Sequence, residues 1–175
     1  GMNLVVTIRD NPTWAAANRC GPLHNPQSLA RFASALVARY SVAPYNVKVW
    51  ELYNEPDNME TSGWFINLGG CWGNDGTAYA NMLKIVYPAI KAADPAAIVL
   101  IGALGFEFEL VHHLNRDFLE DVLDAGGGPY FDAMNFHYFH EYERSWLYPM
   151  VTAGLRNKMK ALDDIVKSYG LTKPF

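Results

Sequence analysis

Hydrophobic positions along the chain alternate between short runs rich in β-branched residues and longer segments with helical spacing. The short runs, typical of buried parallel strands, cover residues 4–8, 47–53, 97–102 and 131–137. The segments with apolar residues three and four positions apart cover residues 28–40, 78–93, 113–125 and 151–169. Strand and helix alternate four times without a hairpin signal, which predicts an α/β protein built from four parallel βα units.

Residues that favour turns and helix ends separate these segments. Ser28 precedes the first helical run and is its predicted N-cap, and the triplet Gly126-Gly127-Gly128 ends the third helix. No shift in composition divides the chain. We therefore expect a single domain over residues 1–175, in which Gly1 before Met2 is a scar of tag cleavage.

Composition excludes two classes of partner. The chain has 175 residues, of which 50% are hydrophobic and 18% charged, enough for one sizeable core. Its net charge is -4, so it has no basic field for nucleic acid. No apolar run reaches the roughly 20 residues of a membrane-spanning helix, and no signal peptide opens the chain. We expect a soluble protein, and its location in the cell stays open.

The two cysteines, Cys20 and Cys71, match no zinc or redox spacing. In a chain so poor in cysteine, buried free thiols are the commoner state. We expect free thiols, with a disulfide between the two as the alternative.

Polar and aromatic side chains follow every predicted strand, where parallel α/β folds place their functional groups. They are Arg9, Asp10, Asn54, Glu55, Glu107, Glu109 and residues 137–140. No Gly-x-Gly-x-x-Gly turn follows any strand, so a nucleotide site would lack its phosphate cradle. We expect no nucleotide cofactor.

The segment Trp-Glu-Leu-Tyr-Asn-Glu-Pro at residues 50–56 carries the candidate chemistry. Alternation along a strand would place Glu51 and Glu55 on one face, with Glu51 deep and Glu55 at the rim. Pro56 disfavours helical geometry for the residue before it, so we expect Glu55 to be extended. A lone Glu before a Pro is most often a helix cap or a loop ion pair, and the functional interpretation therefore rests on the whole segment.

This segment resembles the acid/base segment of clan A glycoside hydrolases, the retaining glycosidases built on (β/α)8 barrels. Residues 7–14, 92–102 and 131–138 look like the third strand of that clan, the approach to the fifth and the sixth. The similarity covers essentially the whole chain and is greatest to xylosidase- and cellulase-like members. It implies a parallel (βα)4 half of a TIM-type barrel, strands three to six.

The resemblance also implies roles for individual residues. Glu55 would be the acid/base, and Asn54 would bond the sugar hydroxyl next to the anomeric centre. His137 or Tyr138 would help to position the nucleophile. Three tryptophans would be stacking platforms for sugar rings, with plain packing as the alternative: Trp14, Trp64 and Trp72. For Glu51 we expect a structural role, with Arg9 as its partner inside the barrel.

The chain departs from the clan in one respect that matters for catalysis. Retaining glycosidases need a second carboxylate about 5 to 5.5 Å from the acid, and in this clan it follows the seventh strand. Residues 171–175 look like the first residues of that strand, so we expect the nucleophile to lie outside these 175 residues. A full barrel takes roughly 250 residues, so we expect strands one, two and eight to lie outside these 175 residues as well. The alternative is a substitute nucleophile from another carboxylate: Glu107, Glu109, Glu141 or Glu143.

The leading hypothesis is therefore a glycoside hydrolase of β-linked oligo- or polysaccharides, weakly active or inactive as this chain alone. The alternative is a non-catalytic remnant that binds carbohydrate or has a structural role. A third hypothesis, a metal-dependent hydrolase, would rest on His112, His113, His137, His140 and Glu141. Their spacing matches no strong metal template, and we expect neither a metal nor another cofactor.

Four strands cut from a barrel leave two open edges, which promote association. We expect a homodimer or higher oligomer in which residues 4–8 of one chain lie beside residues 131–137 of another.

Overall fold

The computed structural model describes residues 3–59, 72–73, 75–106, 114–139 and 154–175. Strands and helices alternate in the order β1 (Val5–Ile8), α1 (Pro26–Tyr40), β2 (Val49–Asn54), α2 (Gly76–Ala93), β3 (Ile98–Ala103), α3 (Phe118–Asp124) and α4 (Gly154–Ser168). A 3-10 turn, Gly128–Tyr130, follows α3.

The three strands form one parallel sheet in the order β1-β2-β3. In its register Val5 lies beside Val49, and Val49 lies beside Ile98. The helices that connect the strands pack on the sheet, as parallel crossovers require. The predicted fold class is confirmed: the chain is an α/β protein with the architecture of a partial TIM-type barrel.

The predicted fourth strand is not a regular strand. Residues 131–137 run parallel to β3 and the residue after it, but with two isolated bridges, Leu100 to Ala133 and Leu104 to Phe136, in place of a continuous ladder. The carboxylate of Asp132 accepts the backbone N–H of Val99 at 2.8 Å. A side chain thus takes a donor that a continuous ladder would use, and the ladder is interrupted.

The last residues of the chain lie along the outer side of residues 131–137. The carbonyl oxygen of Pro174 accepts the N–H of Met134 at 2.8 Å, and Lys173 Nζ donates to the carbonyl oxygen of Phe131 at 2.6 Å. The ring of Phe175 packs edge-on against Phe136, with centroids 5.8 Å apart. Residues 171–175, which we call the carboxyl-terminal segment, therefore cover this edge of the sheet.

Two helices begin earlier than predicted because a stronger capping residue precedes them. At α1, Asn25 is the N-cap, Pro26 takes the first position and the Asn25 side chain accepts the N–H of Gln27 at 3.1 Å. Ser28, the predicted cap, lies inside the helix. At α2, the Asp75 side chain accepts the N–H of Ala78 at 2.7 Å.

α3 is shorter than the predicted helix. It begins at Phe118, after a turn in which the side chain of Asn115 accepts the N–H of Asp117 at 3.0 Å. Such Asx turns compete with helix formation, which explains the later start. The beginnings of the predicted third and fourth helices, at residues 113 and 151–153, lie outside the described residues.

The hydrophobic core lies between the sheet and the helices α1 and α2. Its fully buried members include Trp50, Leu52, Val99, Ile101, Ala33, Val37, Leu83 and Val86. None of the helices in the described part of the chain is long and apolar enough to cross a membrane.

Cys20 is buried and disulfide-bonded, so the prediction of free thiols is wrong. The other cysteine of the sequence, Cys71, lies outside the described residues. The prediction rested on low cysteine content, which carries no information on whether two thiols meet in the fold.

Candidate active site

Asn54 and Glu55 follow one another at the carboxyl end of β2, where the backbone leaves the extended conformation. Tyr53 has φ 67° and Glu55 has φ 43°, both in the left-handed region. The expectation of an extended Glu55 is therefore wrong. The Glu55 N–H donates to the carbonyl oxygen of Ala103 at 2.8 Å, and its own carbonyl oxygen accepts the N–H of Asn58 at 3.1 Å. These two bonds hold Glu55 at the start of a tight turn beside β3.

The side chain of Tyr79, on α2, bridges β2 and β3 next to the residues of β2 that leave the extended conformation. Its buried hydroxyl donates to the carbonyl oxygen of Leu52 at 2.7 Å and accepts the N–H of Gly102 at 3.0 Å. A Cβ on Gly102 would lie 2.6 Å from the Leu52 oxygen, so glycine permits the close approach. A helix side chain thus stabilises the strand end that carries Glu55.

Glu55 and His137 are brought together at the mouth of the partial barrel. Glu55 Oε1 lies 2.7 Å from His137 Nδ1, and the side chains are 24% and 32% exposed. The hydrogen bond from the imidazole to Glu55 raises the pKa of His137, against the opposing effect of burial. The resemblance pairs His137 with a nucleophile, whereas in this structure its ring faces the carboxylate of Glu55.

Lys158 of α4 holds the backbone of the same histidine. This lysine is fully buried, and its Nζ donates to the carbonyl oxygen of His137 at 2.7 Å. Its ammonium also lies 5.9 Å from the ring centroid of Phe136. The position of His137 is therefore fixed by α4 as well as by Glu55.

Glu51 has the structural role that was expected, but with different partners. One of its oxygens accepts the N–H of Ala103 at 2.9 Å and the side-chain amide of Asn135 at 2.6 Å, and the other accepts the hydroxyl of Thr7 at 2.5 Å. Three donors satisfy the buried carboxylate without a cation. Arg9, the predicted partner, instead pairs with the exposed Asp10, with Nε 3.4 Å from Oδ2.

Asp57 is a buried carboxylate that the sequence analysis missed. Its two oxygens accept the N–H groups of Gly105 at 3.0 Å and Phe106 at 2.7 Å, just after β3. Burial raises its pKa to about 6, and the nearby charge of Glu55 acts in the same direction. An Asp after a strand and a Pro is an ordinary turn residue in sequence. Only the approach of residues 105 and 106 makes this one a buried anchor for the turn that follows Glu55.

The three tryptophans predicted to stack on sugar rings differ in their exposure to solvent. Trp72 is 1% exposed and packs edge-on against Tyr53 and Tyr79, so it is a core residue and offers no free ring face to a sugar. Trp14 is 73% exposed in the loop after β1. Trp64 lies outside the described residues.

Two further predicted binding residues are half-buried near this end of the sheet. Asn54 is the last residue of β2. Tyr138 follows His137 and packs against the start of α4, where its hydroxyl leaves no room for a Cβ on Gly154. Both therefore lie in sequence next to one member of the Glu55–His137 pair.

Several alternatives raised from sequence fall on residues that the structure does not describe. These are Glu107, Glu109, Glu141 and Glu143 as substitute nucleophiles, and His112, His113, His140 and Glu141 as metal ligands. Within the described ranges, no group of three or more His, Cys, Asp and Glu side chains could hold a metal ion.

The described carboxylates near the pair differ in what they can do chemically. Glu51 and Asp57 are buried and have their oxygens bound to backbone or side-chain donors. Glu55 is partly exposed at a strand end, next to an imidazole that can exchange a proton with it. Glu55 is therefore the carboxylate of the three that can reach a ligand as a proton donor or acceptor.

Comparison with known proteins gives matches in structure. The chain superimposes over 99% of its length on a glucosidase from Croceicoccus marinus, with a TM-score of 0.67 and 19% sequence identity, and covers 33% of that chain. A family 39 glycoside hydrolase from the gut symbiont Bacteroides cellulosilyticus WH2 matches over 64% of this chain and 19% of its own, at a TM-score of 0.44 and 26% identity. No protein-family profile and no curated protein sequence matches the chain. The chain thus spans a third of the length of the glucosidase and shares the fold of that part.

Proposed function

We propose that this chain carries the acid/base part of a retaining β-glycoside hydrolase active site, with Glu55 as the acid/base. The observation that carries the proposal is the Glu55–His137 pair at the carboxyl end of a parallel sheet, with Oε1 and Nδ1 2.7 Å apart. The Asn-Glu-Pro segment and the fold shared with a glucosidase support it.

In this proposal Glu55 protonates the glycosidic oxygen as the bond to the leaving group breaks. His137 holds the carboxyl group in position, and Asn54 bonds the hydroxyl next to the anomeric centre. The substrate is a β-linked oligo- or polysaccharide. The nucleophile of the retaining reaction would come from a seventh strand, which the resemblance places after the last residues of this chain.

The 175-residue chain alone should hydrolyse aryl β-glycosides at close to the background rate, because one carboxylate cannot complete a double displacement. Glu55→Gln should then change this rate little. A rate that Glu55→Gln abolishes would show that the chain holds its own nucleophile, and would contradict this part of the proposal.

An added nucleophile tests Glu55 directly. Azide can attack the anomeric carbon while Glu55 gives its proton to the departing oxygen, so the products are a glycosyl azide and a free alcohol. With aryl β-xylosides and β-glucosides that have poor leaving groups, we expect azide to raise the rate at least about tenfold in the native chain and not in Glu55→Gln, since general acid catalysis contributes roughly 10²-fold or more.

Glu120→Gln is the matched control, because Glu120 is a half-buried glutamate on α3. Its response to azide should equal that of the native chain. Azide-dependent product at the same rate in Glu55→Gln would remove Glu55 from the reaction. Oligosaccharide binding, seen as NMR shift changes at Glu55 and His137, without any azide-dependent product would favour the alternative, a non-catalytic carbohydrate-binding protein.

A further inference from the structure

The backbone that leads into Glu55 has an unfavourable conformation. Tyr53 has φ 67° and Glu55 has φ 43°, in the left-handed region that residues with a Cβ seldom occupy. Such a backbone persists only where the surrounding contacts fix it, and residues of this kind cluster at functional sites. The contacts of Tyr53 therefore help to set how the chain passes from β2 to Glu55.

The side chain of Tyr53 is held at its ring and at its hydroxyl. It is 3% exposed, and its ring packs edge-on against Trp72, with centroids 5.2 Å apart. Burial raises the pKa of the hydroxyl well above its usual range, so the group keeps its proton. The hydroxyl donates to Asn11 Oδ1 at 2.6 Å. The polar end of Tyr53 is therefore bound to the loop that follows β1.

Asn11 is a buried residue whose side-chain amide has different partners at its two ends. Its nitrogen donates to the carbonyl oxygens of Asn18 at 3.3 Å and Gly21 at 3.1 Å. Its backbone N–H donates to the carbonyl oxygen of Arg19. Carbonyl oxygens need a donor, so they take the nitrogen end of the amide and leave the oxygen end for the Tyr53 hydroxyl. A carboxylate or an alkyl side chain at position 11 could not make all of these bonds.

The loop that Asn11 joins to Tyr53 has supports of its own. Ala16 and Leu23 form an antiparallel bridge between its two arms. Cys20 lies in the stretch whose carbonyl oxygens accept from Asn11, and it is buried and disulfide-bonded. The acceptor that Asn11 offers to Tyr53 is therefore held in place by contacts that do not involve β2.

We propose that Asn11 is a positioning residue for Glu55. Through the Tyr53 hydroxyl it holds the left-handed backbone at the end of β2, and this backbone directs the Glu55 carboxylate to His137. Tyr79 joins β2 to β3 one residue earlier, whereas Asn11 holds the irregular residue itself from the side of β1. The consequence for catalysis rests on the proposed function of Glu55. The pairing of Glu55 with His137 can be measured without it.

Tyr53→Phe removes the hydroxyl and keeps the ring. With azide and aryl β-glycosides, we expect kcat to fall about 10- to 100-fold, since a displacement of about 1 Å can cost roughly 10²-fold in rate. KM should change little, because Tyr53 and Asn11 are both buried. The pKa of His137, from an NMR titration, should lie between its values in the native chain and in Glu55→Gln, because a displaced carboxylate bonds the imidazole less well.

Tyr87→Phe is the matched control. The Tyr87 hydroxyl donates to Asp132 Oδ1 at 2.7 Å, so this variant also loses a hydrogen bond from a tyrosine to a side-chain oxygen. Asp132 lies beside Val99, at the amino end of β3 and away from Glu55. A merely structural role lowers the free energy of unfolding alone. Tyr87→Phe should therefore leave kcat and the His137 titration unchanged.

A double-mutant cycle tests whether Asn11 acts through the Tyr53 hydroxyl. Asn11→Ala should lower kcat and the pKa of His137 in the same direction as Tyr53→Phe. In the double variant the loss of kcat should be smaller than the product of the two single losses, because both changes remove the same hydrogen bond. Tyr53→Phe keeps the test available should Asn11→Ala fail to fold, as judged by circular dichroism.

A folded Tyr53→Phe in which His137 titrates as in the native chain would overturn the proposal, as would equal effects of Tyr87→Phe. An unchanged kcat in Tyr53→Phe, where Glu55→Gln abolishes the reaction, would also overturn it and leave the role of Glu55 intact. Losses of kcat that simply multiply in the double variant would do the same. Absence of azide-dependent product in the native chain would instead contradict the role of Glu55, and the His137 titration would then decide on Asn11 by itself.

Discussion

Glu51 and Glu55 are two carboxylates of one segment with opposite surroundings. Glu51 is buried and receives three hydrogen bonds from donors on three other segments. Glu55 is partly exposed, and the contact that positions its side chain is with His137. A carboxylate whose oxygens are bound by protein donors stabilises the structure. A carboxylate with an oxygen accessible to a ligand can accept a proton from it or donate one to it. Solvation and partners thus separate a structural residue from a candidate catalytic one.

The pKa of His137 provides a prediction at this scale. Glu55→Gln should lower it toward the ordinary value of 6.5, because the hydrogen bond to the carboxylate is the main cause of its elevation. An NMR titration of the imidazole signals measures the change. The exposed His24 provides the reference signals within the same spectra. An unchanged His137 curve in Glu55→Gln would contradict the pairing.

Sequence reasoning reached Glu55 through its motif and missed Asp57. The motif is local, so seven consecutive residues were enough to identify it. Asp57 depends on the N–H groups of Gly105 and Phe106, 48 and 49 positions further along the chain. The burial of Trp72 against Tyr53 and Tyr79 is likewise a property of packing, and it agrees with the packing alternative given for this residue.

At the scale of elements, the end of β2 depends on a helix behind it. The Tyr79 hydroxyl bridges Leu52 and Gly102 where the left-handed backbone of Tyr53 interrupts the strand. Hydroxyl groups rarely sit between two neighbouring strands, since the ladder normally fills that space. α2 therefore supports the turn at Glu55, and we expect a change at Tyr79 to alter the backbone of the candidate site.

Tyr79→Phe tests this dependence. It removes both hydrogen bonds and leaves a buried N–H and a buried C=O without a partner, at a cost of about 2 to 4 kcal/mol in the free energy of unfolding. Urea denaturation measures it. Tyr130→Phe, at a half-buried tyrosine whose ring packs against Tyr87, is the control and should cost less than about 1 kcal/mol. An equal loss in the free energy of unfolding for the two variants would mean that the hydrogen bonds of the Tyr79 hydroxyl do not stabilise the strand end.

The spacing of hydrophobic residues predicted the order and type of the strands and helices, but it did not predict the residues at which they begin and end. β-branched runs placed all three strands to within two residues, because buried parallel strands are continuous in apolar character. α1 begins two residues before the predicted start because the Asn25-Pro26 pair outranks Ser28 as a helix start. Residues 131–137 resemble a strand in sequence, but the side chain of Asp132 competes with the backbone for Val99.

For the whole molecule, the buried carboxylate of Asp57 makes stability depend on pH. Its pKa is about 6 in the folded state, against an ordinary value of 3.8. Between these values the folded chain keeps a proton that the unfolded chain has lost, so the free energy of unfolding falls as pH rises. Two units of pKa correspond to about 3 kcal/mol. His137, whose pKa is also raised, adds a loss of the same sign above pH 6.5.

Urea unfolding between pH 4 and pH 8 should show this decline in the native chain. Asp57→Asn should remove the part between pH 4 and pH 6, because the amide does not titrate. Asp94 acts only at lower pH, since its hydrogen bond to Lys48 holds the pKa of that carboxyl below its usual range. A native chain whose stability rises from pH 4 to pH 6 would contradict the assignment to Asp57.

The contacts of Glu51 also bear on how the chain reaches its fold. Its three partners, Thr7, Ala103 and Asn135, are 44, 52 and 84 positions away in sequence. Each of these bonds joins two different βα units, and only together do the three need the sheet assembled from β1 to residue 135. Contacts between residues so far apart form only after long loops have closed, at a cost in chain entropy. Such contacts slow folding, and we expect them to form late. We therefore expect the hydrogen bonds of Glu51 to slow unfolding of the chain and to have little effect on the early steps of folding.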